Sequence, residues 1–386
     1  MLTNILHKAV VFVAACFALM SCSQENGAEN YVDNASGVRI LFRVADAPET
    51  RATEAGWDDE WNENTVKSLI IFRFDANDNL KDGLSPSNLP SFKAQNTAYQ
   101  ELTVNGLTYS DLAANSTDKF YMVANCEGID VESIKTLDDL EACTATPVLL
   151  FNDYQQPFAM DAKGVVTENT TEKEITLRFD LQRAAVKIRM AVNDVSKQSI
   201  LDRCTYKLCN YVLSSTSVLE SGEKYCIGDD QELLSMPDFG TSKLQKDYKA
   251  VFYSYPNEWF DESKAVKNDD GTWTITNYAS EAAMDSARHT YIMLRAPYGE
   301  KEYYYKVPVN YAVHKDNDAQ SFTDEEYNEI LDLHRIKRNH IYDITVTIDR
   351  AGGSIDDPVT PEFYIRVDDW KEGGEYNIGK GEFEER

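Results

Sequence analysis

Val38-Arg39-Ile40-Leu41-Phe42-Arg43-Val44 alternates along its length, with a bulky apolar residue at every second position. In an extended chain successive side chains point to opposite faces, so Val38, Ile40, Phe42 and Val44 share one face and Arg39, Leu41 and Arg43 the other. The stretch predicts a β-strand that buries its first face. Similar patterns recur on both sides of the chain's middle. Strands are predicted over residues 66–74, 99–104, 120–124, 174–179 and 184–192, then over 205–214, 250–255, 273–277, 289–296, 302–310 and 340–348. A helical stretch is predicted around 131–143, and a short helix over 323–333 with Ser321 or Thr323 as its cap and acids in its first turn. Asn268-Asp269-Asp270-Gly271 reads as a hairpin turn, because glycine accepts the positive φ such turns need. Many short strands with few helices predict a mainly β chain built as two β-sandwiches with short helical insertions.

Upstream of the first strand, Lys8 precedes an uncharged apolar run over residues 9–20 that ends in Leu19-Met20-Ser21-Cys22. The run is too short to span a bilayer as a helix and sits where a secretory signal sits. It resembles a bacterial lipoprotein signal, which implies cleavage between Ser21 and Cys22 and acylation (palmitate) of Cys22 as the first mature residue. Later apolar stretches are strand-sized, so membrane attachment would come from lipid, each buried methylene contributing about 0.8 kcal/mol. Residues 23–36 are polar and poor in bulky apolar side chains, which suits a tether.

The composition narrows the function. A formal net charge of −27 over 386 residues repels nucleic acid and anionic head groups, so neither is an expected partner. With 42% hydrophobic residues the chain can fill two or three cores. Beyond Cys22 the cysteines are Cys126, Cys143, Cys204, Cys209 and Cys226, an odd number that cannot form a complete intrachain framework. Cys204 and Cys209 would face opposite sides of a strand, whereas Cys209 with Cys226 is possible across a hairpin; most read as small buried hydrophobes.

No Gly-x-Ser-x-Gly, His-Glu-x-x-His or phosphate-loop motif occurs. Asp75-Ala76-Asn77-Asp78-Asn79 begins like a calcium loop, but Leu80 stands where glycine makes the sharp turn, so a β-turn is expected. His334 and His340 bracket a basic stretch at a spacing that matches no metal site. No cofactor, no metal and no enzymatic activity are expected.

The C-terminal end carries the functional argument. After the 340–348 strand, Ala351-Gly352-Gly353-Ser354 and Asp356-Asp357-Pro358 release the chain into a further alternating segment, with Phe363, Ile365 and Val367 on one face and Tyr364 and Arg366 on the other. Asp368-Asp369-Trp370, Gly373-Gly374 and a short piece from Tyr376 to Ile378 follow. A sandwich that has already closed has no obvious place for another strand. Such a strand is either an edge strand or a donor to another chain.

The Leu-Met-Ser-Cys signal, the alternating strand before Arg51, the strand that follows from Val66, the Arg338-Asn339-His340-Ile341-Tyr342 lead into a late strand and the terminal Val367-Asp368-Asp369-Trp370 together resemble the fimbrillins of the Bacteroidales type V pilus. The likeness runs in order along nearly the whole chain. It implies two tandem transthyretin-like β-sandwich domains and a C-terminal donor-strand extension. It also implies an outer-membrane lipoprotein precursor, cut after Arg51 and before Ala52 by an Arg-specific surface protease. Loss of Val38, Ile40, Phe42 and Val44 would open a groove for the Phe363, Ile365, Val367 and Trp370 segment of another subunit.

The division expected is 1–21 signal, 22–51 tether and removable strand, 52–194 and 195–355 sandwiches, and 356–386 donor segment. Partners would be other fimbrial subunits in a homopolymer or mixed fibre, the outer membrane before maturation, and host or bacterial surface glycans or proteins. The location would be the cell surface. Two alternatives stand beside it: a glycan-binding surface lipoprotein using Trp57, Trp61, Trp259 and Trp273 as sugar platforms, and a pilus anchor that does not polymerise.

One consequence is directly measurable. In cells fed a fatty-acid analogue the wild-type protein should take up label and Cys22→Ala should not; equal labelling would remove the lipoprotein reading.

Overall fold

The chain is mainly β, as the sequence predicts, and its strands fall into two successive sets. A computed structural model describes residues 37–44, 64–86, 92–93, 99–126, 128–144, 157–194, 203–212, 215, 217–224, 233, 235–236, 238–240, 250–275, 288–310 and 320–369. The first set comprises β1 (Val38–Val44), β2 (Thr65–Val66), β3 (Leu69–Phe74), β4 (Leu80–Leu84), β5 (Phe92–Lys93), β6 (Gln100–Leu102), β7 (Lys119–Ala124), β8 (Met160–Lys163), β9 (Val165–Asn169) and β10 (Glu174–Arg183), with helices α1 (Tyr109–Ala114) and α2 (Leu137–Glu141). Its sheet runs β4-β3-β7-β8-β10-β1-β6, and β9 pairs with β10 off that path. Inward residues from β1, β3, β7 and β10, such as Phe42, Ile71, Met122 and Phe179, fill one core. Between β8 and β9, a Cβ on Gly164 would stand 2.8 Å from Phe179 and 2.9 Å from Phe120, so the close packing there requires glycine.

Several predicted elements come out shorter or broken, three of them for a clear local reason. The strand predicted over 66–74 is interrupted at Lys67 and Ser68. Asn125, held at a left-handed φ of 58°, accepts the Lys67 N–H through Oδ1 at 2.8 Å and donates its own N–H to Ser68 O at 2.9 Å. The helix predicted over 131–143 contracts to α2, where Thr136 and Asp139 form a reciprocal capping box. The strand predicted over 205–214 stops at Cys209, because Asn210 takes a φ of 54°.

The second set comprises β11 (Val186–Asp194), β12 (Thr205–Cys209), β13 (Ala250–Ser254), β14 (Asn257–Glu258), β15 (Ala265–Lys267), β16 (Trp273–Ile275), β17 (Tyr291–Tyr298), β18 (Lys301–Pro308), β19 (Gln320–Phe322), helix α3 (Asp324–Leu333), β20 (Arg335–Ile336), β21 (His340–Ile348) and β22 (Glu362–Asp369). A four-stranded sheet, β13-β11-β21-β22, and a three-stranded one, β12-β17-β18, bury their inner rows in one shared core. Thr323 caps α3 in a box with Glu326, one of the two caps expected. A small sheet, β15-β16-β19, packs with α3 around Phe260, Ile275, Tyr327 and Ile330. In both sets the first strand lies parallel to a later long one of its core: β1 beside β10, and β11 beside β21.

The chain passes between the sets at Ala184 and Ala185, both fully buried. The boundary expected at 194 therefore moves to this point, because β11 pairs with β13 and β21 and with no strand of the first set among the described residues. The boundary expected at 355 also moves, since β22 is part of the second sheet. A third core joins the sets: Phe72, Phe74, Tyr121 and Val123 meet Leu219, Val251, Tyr253 and Tyr255. Beside it Arg338 Nη2 reaches Asp161 Oδ1 at 2.7 Å and Nη1 reaches Glu223 Oε2 at 3.4 Å. Asn339, at a φ of 56°, accepts from the Arg183 backbone N–H at 3.1 Å and from its Nη1 at 3.2 Å, and donates its own N–H to Ala185 O at 2.9 Å. Cys126, Cys204 and Cys209 are buried and Cys143 partly so, with no disulfide among them; Cys226 lies outside the described residues.

His289 gives the fold a pH dependence. It is buried against Trp259, ring centroids 4.7 Å apart, and burial followed by the Lys306 charge pushes its imidazole down to about 3. The unfolded value is about 6.5. As pH falls below that value the unfolded chain binds a proton that the folded chain refuses, so stability declines by up to about 1.4 kcal/mol per pH unit. Urea unfolding at pH 6.5 and 4.5 should show the wild type losing up to about 2.5 kcal/mol more than His289→Gln over that interval.

Candidate functional site

β1 sits inside its sheet with a strand on each side. β10 pairs with it in parallel along its whole length, and β6 pairs antiparallel opposite residues 40–42. Val38, Ile40, Phe42 and Val44 stand opposite Ile175, Leu177, Phe179 and Leu181 and are all buried. Burying four such side chains contributes roughly 1.5–3 kcal/mol each, so the strand's departure would leave an apolar slot that water does not tolerate. The entrance is set by Gly37 at a φ of 67°, where a Cβ would stand 2.6 Å from Lys173 O. Its own carbonyl accepts the Ile175 N–H at 2.9 Å, which starts the parallel register.

The other face of β1 is roofed rather than bare. Leu41, on the face of Arg39 and Arg43, is 5% exposed, and both of those arginines are ion-paired. Arg39 reaches both carboxylate oxygens of Glu101 on β6 at 3.3 Å. Arg43 pairs with Asp180 on β10, directly opposite it in register. Tyr99 donates its hydroxyl to Asp180 at 3.0 Å while the Arg43 guanidinium lies 4.8 Å over its ring; burial, then that bond, raises the phenol above its ordinary value. Arg178 stands 5.9 Å from the same ring. Gly37, Tyr99, Glu101, Arg178 and Asp180 were not legible as site residues. For the charged ones the only sequence signal is charge on segments whose pairing the sequence does not give, and Gly37 and Tyr99 carry none.

The C-terminal row lies in a different core. β22 pairs antiparallel with β21, placing Phe363 opposite Val346, Ile365 opposite Ile344 and Val367 opposite Tyr342. All three are buried in this chain's own second core, with β22 at the sheet edge. The segment expected to seat in a neighbour is thus seated here in its own chain, since the inner row of the β11–β21 pair extends to receive it. Ser21, Cys22, Arg51, Ala52, Trp57, Trp61 and Trp370 lie outside the described residues.

The expected sugar platforms fare differently. Trp259 is fully buried in the second core and offers no face to a glycan. Trp273 stacks on Tyr327 with centroids 4.0 Å apart, its Nε1 donates to Asp324 at 2.6 Å, and the Lys267 ammonium lies 5.3 Å from the ring centre. Asp75 Oδ1 accepts the N–H groups of Asn77 and Asn79 at 2.8 and 2.9 Å, forming a turn. Both described histidines of the basic stretch are tied to backbone carbonyls, His334 Nδ1 to Ile330 O and His340 Nδ1 to Arg338 O, each at 2.7 Å. Among the described residues no group of three or more His, Cys, Asp and Glu could hold a metal ion, and no helix is long and apolar enough to cross a membrane.

Along 375 residues the chain is 22% identical to the major fimbrium tip subunit FimD of Porphyromonas gingivalis, an alignment covering 95% of this chain and 48% of the relative. The chain thus spans about half the length of that curated relative. Two solved structures also align. The tip fimbrial protein Mfa3 of Porphyromonas gingivalis, with C-terminal truncation, is 13% identical with a TM-score of 0.44 over 86% of this chain and 99% of its own. A fimbrial assembly protein from Parabacteroides distasonis is 10% identical with a TM-score of 0.40 over 88% and 98%. No family model matches the sequence. The fimbrillin resemblance accordingly has a counterpart among curated proteins over almost the whole chain.

The position of β22 sets an expectation for stability. Phe363→Ser or Ile365→Ser should lower the unfolding free energy of the isolated chain by about 2–4 kcal/mol, read as a lower urea midpoint. An unchanged midpoint would mean that β22 does not hold this place in solution.

Proposed function

We propose that this protein is a structural subunit of a surface fimbria. It is exported as a lipoprotein on Cys22, released by an Arg-specific cut between Arg51 and Ala52, and joined to a neighbour by strand exchange at the slot β1 fills. The seat of β1 carries the reading. It is the first strand of its sheet, so a single cut in the 45–63 segment leaves it held by non-covalent contacts alone. Once gone, it vacates a slot with unpaired backbone on β10 and β6 and an apolar floor, the combination that β-strand addition requires. The curated relative's description as a fimbrium tip subunit supports the same role. On this reading the two strand sets are tandem transthyretin-like domains, the partners are other fimbrial subunits, and the location is the outer membrane and then the fibre. The role is structural and adhesive, with no reaction catalysed.

A second reading is favoured by one observation. β22 is seated in its own core, which suits a subunit that accepts a strand and gives none, ending or anchoring a fibre. A glycan platform draws no such support, given the burial of Trp259 and the stacked Trp273.

Mass analysis of the protein shaved from cells should find Ala52 at the N-terminus of the wild type and Cys22 at that of Arg51→Gln. A wild-type N-terminus at Cys22, or just after Arg39 or Arg43, would refute cleavage at Arg51.

A further inference from the structure

We infer that the slot under β1 chooses its incoming strand by charge: it takes a strand with basic residues at the outward positions now held by Arg39 and Arg43, and it rejects a copy of this chain's own C-terminal segment. The inference rests on the strand-exchange reading. Its basis is the rim described above. Glu101 and Asp180 lie on opposite walls of the slot, and each is paired with an arginine of the strand that would leave. The Glu101 side chain is 15% exposed and that of Asp180 42%, so at least the former is a largely desolvated carboxylate when the slot is filled. Arg178 is the cation that stays, two residues before Asp180 on the same face of β10.

Backbone pairing does not decide what enters. β10 lies parallel to β1 and β6 antiparallel, so a strand entering in either direction finds one parallel and one antiparallel neighbour. The apolar floor asks only for large groups at alternate positions. The rim is what distinguishes one such strand from another, because like charges set opposite each other across strands are destabilising and opposite charges stabilise.

In the sequence of this chain's own segment Glu362, Tyr364, Arg366 and Asp368 alternate with Phe363, Ile365 and Val367, so in an extended strand they would share the opposite face. Entering parallel to β1 with Arg366 in the place of Arg43, it sets Glu362 in the place of Arg39, against Glu101. Shifted by two residues, it sets Asp368 against Asp180. Entering in the reverse direction with Arg366 in the place of Arg39, it sets Glu362 against Asp180, and the shifted register sets Asp368 in the place of Arg39 with Arg366 in the place of Leu41, opposite Glu101. Every register that keeps all three apolar residues on the floor thus puts an acid where β1 has Arg39 or Arg43. The partner that fits is a strand from a different subunit, alternating as β1 does and basic at both outward positions.

The test uses the full chain with a site for a sequence-specific protease inserted in the 45–63 segment. After cleavage, labelled peptides are offered and those retained through gel filtration are counted by mass spectrometry. The peptides are 37–45, the same peptide with Arg39→Glu and Arg43→Glu, the chain's own 361–370, and that peptide with Glu362→Lys and Asp368→Lys. The first and last should be retained about tenfold more than the other two. In a protein carrying Glu101→Lys and Asp180→Lys, with Arg39→Glu and Arg43→Glu to keep β1 paired before cleavage, the order of the first two should reverse. Equal retention, or an order unchanged in that variant, would overturn charge selection while leaving strand exchange intact. Retention of no peptide, 37–45 included, would overturn strand exchange itself and this inference with it.

Discussion

Arg338 has almost no access to water, and neither do the two carboxylates it meets: their side chains are 1%, 7% and 1% exposed for Arg338, Asp161 and Glu223. Burial pushes the Asp161 carboxyl above its ordinary range, and the Arg338 charge opposes that push. Charges taken this far out of water hold only while all partners stay together, and removing one from such a group typically costs about 3–5 kcal/mol. Asp161 belongs to the first strand set, whereas Arg338 and Glu223 belong to the second half of the chain. Their meeting therefore fixes how the two halves dock. Asn339 extends the constraint, tying the start of β21 to the end of β10 through Arg183 and Ala185.

That docking puts a shared core between the two strand sets, beside the core of each set and the small one under α3. β13 shows the consequence: Ala250 and Phe252 face the second core while Val251 and Tyr253 face the middle one, so all of its residues are buried. The two ends of the described chain are held differently. β1 has neighbours on both sides and a roof of ion pairs, whereas β22 has a paired neighbour on one side only. A strand enclosed on both sides yields a defined slot when it leaves. One held at an edge can leave while the sheet behind it remains paired.

Much of this was legible locally. The alternation of 38–44 gave a strand with the observed bounds, and the 340–348 strand was also placed at its observed bounds despite a looser period. A cap at Ser321 or Thr323 was readable from the acids that follow, and the structure uses Thr323. The failures lie where a distant residue intervenes. Lys67 and Ser68 look like strand but pair with Asn125, and the sequence left Trp259 between sugar platform and core residue until the second core took it in.

By itself the sequence determined where most of the longer strands lie, and that the first and last described strands each carry an alternating apolar row. Those properties follow from side-chain order and the pleat alone. Only the tertiary structure decided where the rows go: β1 into the interior of one sheet and β22 onto the edge of another, each in its own core. It also decided that Leu41 is buried, that Glu101 and Asp180 form the rim of the β1 slot, and that the change of sheet falls at Ala184. The physical reason is that strand pairing joins residues far apart in the chain, as Arg43 with Asp180 and Asp161 with Arg338. An alternating pattern gives a strand its faces but leaves its neighbours unspecified.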